Sequence, residues 1–140
     1  MKKTLTTILF LTIFSALFAP ALTQFYIVKP EKINPIADIW EAVKMVESAN
    51  NHSIINFAEG AYGCGQIRQI KLDEYNGWTG SEITLNDCLD ERVSGKIFAW
   101  HCSRYNDLET AVKRWNGSGP ATEIYWQKVK RELLINKPIS

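Results

Sequence analysis

The chain is poor in the residue patterns that hold metals and nucleic acids. Its 140 residues include two histidines and three cysteines, with no CxxC or HxxxH spacing between them. Without such spacing, Cys102 beside His101, with His52 elsewhere, reads as structural, and no metal is expected. Sixteen basic residues nearly balance fifteen acidic ones, and no basic run or interleaved Arg/Lys pattern occurs, which argues against nucleic acid as a partner. No internal repeat or low-complexity tract is present, and no cysteine stands near residue 21 to accept a lipid.

An odd cysteine count leaves at least one thiol free or paired between chains. Cys88 and Cys102 stand 14 positions apart, so on one helix they would be roughly 21 Å from each other, beyond bridging distance. Cys64 could pair with either.

The N-terminus carries a pattern of its own. Lys2 and Lys3 precede an apolar run from Leu5 to Ala19, and Ala19-Pro20-Ala21 supplies small residues for cleavage. This reads as a secretory signal peptide over 1–21, and the chain is expected to be exported, to the periplasm, the cell envelope or the exterior. The alternative is an uncleaved segment that would associate the chain with the membrane, since Leu5 to Leu22 approaches the length of a span. Cleavage after Ala21 leaves fourteen basic residues against fifteen acidic, and thirteen aromatics including all five tryptophans. That suffices for the core of one small domain, expected to be a monomer.

Beyond an extended lead-in over 22–34, the periodicity predicts a mainly helical domain over 35–135 and a tail over 136–140. Asn34-Pro35 is a helix start, with Asn as cap and Pro at the first position, and this helix runs to about Ser48 or Ala49. Residues 50–67 read as an irregular stretch with short strands and at most a small hairpin. A short helix over Arg68 to Tyr75 is expected to stop at Asn76-Gly77. A longer one opens at Asn86 or Asp87 with Leu89, Val93 and Ile97 inward, followed by Trp100 or His101 and Arg104. Asp107 caps the next, with Leu108, Ala111, Val112 and Trp115 inward. Pro120 starts the last, with Ile124, Tyr125, Val129 and Leu133 inward.

Glu47 stands out against this frame. Ile36, Trp40, Val43 and Glu47 share one helical stripe, so a carboxyl is carried inward with its apolar neighbours. Carboxylates are almost never buried without a partner. Burial and the negative end of the helix dipole both favour the protonated form, and a protonated carboxyl in a cleft can donate its proton to a leaving group. Within twenty residues comes Gly60-Ala61-Tyr62-Gly63-Cys64-Gly65-Gln66-Ile67, a small-residue loop that can bring backbone and one amide close to a ligand.

Three segments in order, Glu47-Ser48, the loop Gly60 to Ile67, and Ala111-Val112-Lys113-Arg114-Trp115-Asn116-Gly117-Ser118-Gly119, resemble the soluble lytic transglycosylase family across about residues 38 to 131. That resemblance implies an α+β lysozyme-like domain, mainly α, with a substrate cleft. It implies activity on peptidoglycan glycan strands by one carboxyl, with no cofactor. Glu47 would be the catalytic acid and base, cleaving between N-acetylmuramic acid and N-acetylglucosamine to leave a 1,6-anhydro ring. Ser48, Tyr62, Gly63, Gln66, Trp115 and Asn116 would line the substrate cleft.

This chain departs from the family's pattern at some positions. Trp115 stands where the family has a tyrosine whose hydroxyl holds the catalytic carboxyl, and Arg68 stands where a proline is usual. An indole cannot accept a hydrogen bond and its N–H points elsewhere, so Glu47 is expected to be held differently. Glycoside hydrolases normally need two carboxyl groups, and Glu59, Asp73, Glu74, Asp87 and Asp90 fall in no motif tied to the cleft. Two alternatives follow: a lysozyme-type hydrolase, and a glycan-binding or inhibitory module of the same fold without turnover.

Overall fold

The computed structural model describes residues 34–135. The expected signal peptide over 1–21, nearly all of the expected lead-in and the 136–140 tail lie outside the described residues. Five helices and a small sheet make a mainly helical domain: α1 Pro35–Ser48, β1 Ile55–Asn56, β2 Ala61–Tyr62, β3 Ile67–Arg68, α2 Gln69–Thr79, a 3-10 turn Asn86–Leu89, α3 Glu91–Cys102, α4 Leu108–Asn116 and α5 Ala121–Ile135.

Helix α1 begins as its cap residues dictate. The Asn34 side chain accepts from the Ala37 N–H at 3.4 Å, and Pro35 has no donor to lose at the first turn. The helix ends on Ala49 and Asn50, both left-handed at φ 52° and 62°, whose N–H groups return to Met45 and Lys44 carbonyls at 3.1 Å. Such a C-cap usually carries glycine, and a side chain there costs on the order of 1 kcal/mol per residue.

Where at most a hairpin is expected, three antiparallel strands form in the order β1-β2-β3, with Tyr62 paired to both Ile55 and Ile67. Each strand is only two residues long, too short for periodicity to register.

Helix α2 continues through Asn76-Gly77 and stops at Gly80, φ 68°. Asn76 does not break the helix because its amide is used sideways, donating to the Ile83 carbonyl at 2.7 Å and accepting from the Ile83 N–H at 3.3 Å. The long helix expected from Asn86 or Asp87 starts instead at Glu91, capped by Asp90, which accepts from the Arg92 N–H at 2.8 Å. Asp87 turns back to Thr84, accepting from its N–H at 2.8 Å and its hydroxyl at 2.7 Å, and so holds the 3-10 turn. Leu89 therefore precedes α3, Arg104 follows it in solvent, and the buried face is Ser94, Ile97, Phe98, His101 and Cys102. Cys88 and Cys102 thus lie on different elements.

In α4 the expected Ala111, Val112 and Trp115 are buried, and Asp107 caps the helix through the Thr110 N–H at 2.7 Å. In α5, Tyr125 and Val129 turn inward with Trp126, while Ile124 is exposed. Adjacent residues diverge by about 100° around a helix, so Ile124 and Tyr125 cannot both centre one face.

Helix α1 packs chiefly on α5, and α5 in turn on α4. Through this core runs a row of rings: Trp40 stacks on Phe98 at 5.1 Å, Phe98 meets Trp115 edge-on at 5.1 Å, and Trp115 meets His101 at 5.3 Å. Gly65 is pressed into that row, where a Cβ would fall 2.8 Å from Trp40 Cη2 and 3.5 Å from Trp115 Cζ2. Helical Gly77 faces open space. Gly65→Ala is therefore expected to destabilise by about 1–3 kcal/mol, and Gly77→Ala to stabilise by about 0.5–1 kcal/mol, both read as shifts of the denaturant midpoint.

Candidate active site

A cleft of about 530 Å³ opens where the end of α1, the small sheet, the start of α2 and the end of α4 converge. Glu47 and Gln66 line it with Asn116, Glu59, Arg68 and Lys71. Volumes of this order suit a small-molecule ligand or a segment of a larger one.

Glu47 is half-buried, and the Tyr125 hydroxyl donates to its Oε1 at 2.7 Å. Burial is the largest influence on its carboxyl and pushes it above the ordinary carboxylate range. The Tyr125 hydrogen bond and the charge of Arg68 oppose that shift, while Glu59 adds to it. Burial, reinforced by the Glu47 charge, drives the Tyr125 phenol far above its ordinary range, so Tyr125 remains a donor. The result is an acid held in one orientation and biased toward keeping its proton.

Tyr125, which meets Glu47 in the fold, is absent from the site residues expected from the sequence. It was legible as an inward-facing residue of the last helix, not as Glu47's partner. The one signal was the departure at Trp115, which removes a hydroxyl without naming its replacement.

The other predicted residues divide. Gln66 and Asn116 line the cleft. Gln66 is left-handed at φ 48°, and its Nε2 donates to the Gly63 carbonyl at 2.9 Å. Its carbonyl oxygen and second amide hydrogen stay available to a ligand. Trp115 reaches the cleft with an edge but is otherwise a core residue, 9% exposed, packed on Phe98 and His101.

Ser48, Tyr62 and Gly63 do not line the cleft. The Ser48 hydroxyl lies 3.1 Å from the Lys44 carbonyl and 3.1 Å from the Cys64 carbonyl, fastening the end of α1 to the glycine loop. Tyr62 packs against the core. Gly63 is buried at φ 70°, with the Cys88 carbonyl so close that a Cβ would fall 2.0 Å from it. These three shape the site from behind it.

Below the cleft, His101 is 1% exposed, and burial pushes it down to about 4, with nearby Lys71 adding to the shift. Its Nε2 lies 2.9 Å from the Ala111 carbonyl and its Nδ1 lies 3.0 Å from Lys71 Nζ. A carbonyl only accepts and an ammonium only donates, which fixes the neutral tautomer with the proton on Nε2. Cys64, Cys88 and Cys102 are free and buried, and burial pushes the thiols up to about 11, 12 and 11. They stay protonated and serve as small core residues. Among the described residues no group of three His, Cys, Asp or Glu side chains is arranged to hold a metal ion.

A raised carboxyl makes stability depend on pH in a defined direction. Above about pH 4.5 an unfolded chain releases the Glu47 proton while the folded chain still retains it, so stability is lost as pH rises through the folded value. Glu47→Gln keeps an acceptor for Tyr125 and removes that loss. The variant should therefore melt higher than the parent at pH 7. The gap should close toward pH 4, reporting the shift at about 1.4 kcal/mol per unit. Thermal or denaturant unfolding across that range measures it.

Comparison with family models, with curated proteins and with solved structures gives no match.

Proposed function

We propose that the chain is a lytic transglycosylase of peptidoglycan, a carbon–oxygen lyase on a lysozyme-like fold. The observation that carries this reading is Glu47: one carboxyl, half-buried, biased toward its protonated form, oriented by Tyr125 and opening on a cleft that also holds Gln66 and Asn116. The ordered resemblance of three segments to the soluble lytic transglycosylases supplies the substrate class.

The chemistry then needs only this acid. Protonated Glu47 gives its proton to the oxygen that leaves C1 of N-acetylmuramic acid, and the C1–O bond breaks. The carboxylate next takes the proton of the muramic 6-hydroxyl as that oxygen closes on C1, forming the 1,6-anhydro ring and restoring the acid. Tyr125 serves both halves. Its hydrogen bond steadies the carboxylate between steps, and with Arg68 it keeps burial from raising the acid too far to be released. The tyrosine hydroxyl that the family resemblance expects at position 115 is thus supplied from α5. The partner is the glycan strand, no cofactor is required, and the setting is the periplasm, the envelope or the exterior. A monomer suffices, and an N-terminal segment left uncleaved would hold it at the membrane.

One observation favours a second reading, lysozyme-type hydrolysis. Glu59 lines the same cleft and raises the Glu47 carboxyl, so a second carboxylate is available to activate water.

Digestion of purified peptidoglycan followed by mass spectrometry separates these readings. Anhydro-muropeptides that fall about 10²–10⁴-fold with Glu47→Gln, and persist with Glu59→Gln, are expected. Reducing-end products lost with Glu59→Gln would establish the hydrolase, and bound glycan without products would leave a binding module. For Tyr125→Phe, kcat should fall and the alkaline limb of the pH–rate profile should move upward. The lost hydrogen bond favoured the carboxylate, and such bonds are worth about 1.5–3 kcal/mol.

A further inference from the structure

Three cationic side chains line the cleft that holds Glu47: Arg68, Lys71 and Arg114. Elsewhere two lysines withdrawn from solvent are each met by two carboxylates, while half-buried Lys130 rests over the Trp126 ring, 5.5 Å from its centroid. Lys44 sits between Glu41 and Glu91, and Lys113 between Glu109 at 2.6 Å and Glu123 at 2.5 Å. The cleft cations differ. Among the described residues, Arg68 and Arg114 make no ion pair. Lys71 has one carboxylate near, Glu74 at 3.7 Å, and Glu74 is already bonded to Arg104.

Lys71 is nevertheless held in place. His101 Nδ1 accepts from its ammonium at 3.0 Å, and the ammonium rests over the Trp115 ring at 5.6 Å from the centroid. Its side chain is only 19% exposed, and burial pushes its amine below the ordinary lysine range, with Glu74 opposing. A charge desolvated in this way, without a full counter-ion, gains more from an arriving anion than a solvated one. Its donors are fixed by a ring and an imidazole rather than by a carboxylate that a ligand would have to displace.

We propose that Arg68, Lys71 and Arg114 form a carboxylate-binding subsite that reads the acidic substituents of the glycan. A neutral sugar chain gives these three groups nothing to pair with. A glycan bearing lactyl or peptide-stem carboxylates does, and the two arginine forks can each take a carboxylate with two parallel bonds. The inference rests on the glycan reading above and adds the substrate feature that selects among glycans.

The test uses Glu47→Gln, in which turnover is expected to be about 10²–10⁴-fold slower, and measures affinity by calorimetry for three oligosaccharides of equal length. One is neutral poly-N-acetylglucosamine, one alternates with N-acetylmuramic acid carrying free lactyl carboxylates, and one carries peptide stems. At least one acidic ligand should bind roughly tenfold or more tightly than the neutral one, since a charge-assisted bond of this kind is worth a decade or more. Whichever acidic ligand binds tighter identifies the carboxylate. Adding Lys71→Met should bring the ratio of acidic to neutral affinity toward one. Arg114 is exposed, so adding Arg114→Gln lowers the same ratio in a protein whose core is untouched. Equal affinity for all three ligands overturns the subsite and leaves the glycan reading standing. A ratio unmoved by Arg114→Gln, and by Lys71→Met where that variant folds, overturns the assignment to these residues. Binding of none of the three overturns the glycan reading itself, and the subsite with it.

Discussion

The hydrogen bond from Tyr125 to Glu47 joins the first described helix to the last, and the site's geometry depends on it. A carboxyl carried inward on an apolar stripe is unstable in either state unless something meets it. As an anion it lacks solvent, and as an acid it lacks a fixed orientation. One phenolic hydroxyl answers both needs, because it donates to the anion and confines the acid's rotation. Apolar burial brings α1 and α5 together, with Val43 and Val129 fully buried in the core, and that packing is what sets the polar pair face to face.

The cleft wall follows from a different constraint. Trp115 is too large to be a wall alone, and it earns its position as the end of the ring row through Phe98 to Trp40. Gly65 exists without a side chain because that row occupies the space. His101 then closes the row and supplies an acceptor to Lys71. Core packing and cleft charge are therefore one arrangement: the aromatic residues that exclude water also fix where a cation stands.

Much of this was legible in the residues, for identifiable reasons. The N-caps at Asn34 and Asp107 combine a local side-chain bond with an apolar period, and both elements start where that chemistry says. Glu47 was found because its spacing contradicted its chemistry. The misplacements share a cause as well. Asn76-Gly77 reads as a stop only if Asn76 has no tertiary partner, and the Ile83 backbone gives it one. Asp87 reads as a cap for the helix after it, yet it bonds backward to Thr84. Ser48 and Gly63 were assigned to substrate, but their contacts go to the protein's own backbone, at Cys64 and Cys88. Pairings across the fold, above all Tyr125 with Glu47, leave no local trace.

The separation of that pair along the chain, 78 residues, has a consequence for the order of events during synthesis. Every part of the cleft lining from Glu47 to Gly117 emerges before α5 does, and the acid alone then lacks its hydroxyl. Closing so long a loop costs more chain entropy than forming a local helix, so the pairing is expected to follow the helices. A chain interrupted after α4 would carry the Glu47 carboxyl without the hydroxyl that orients it. The orientation of Glu47 is thereby tied to the arrival of α5, the element made after every residue that lines the cleft.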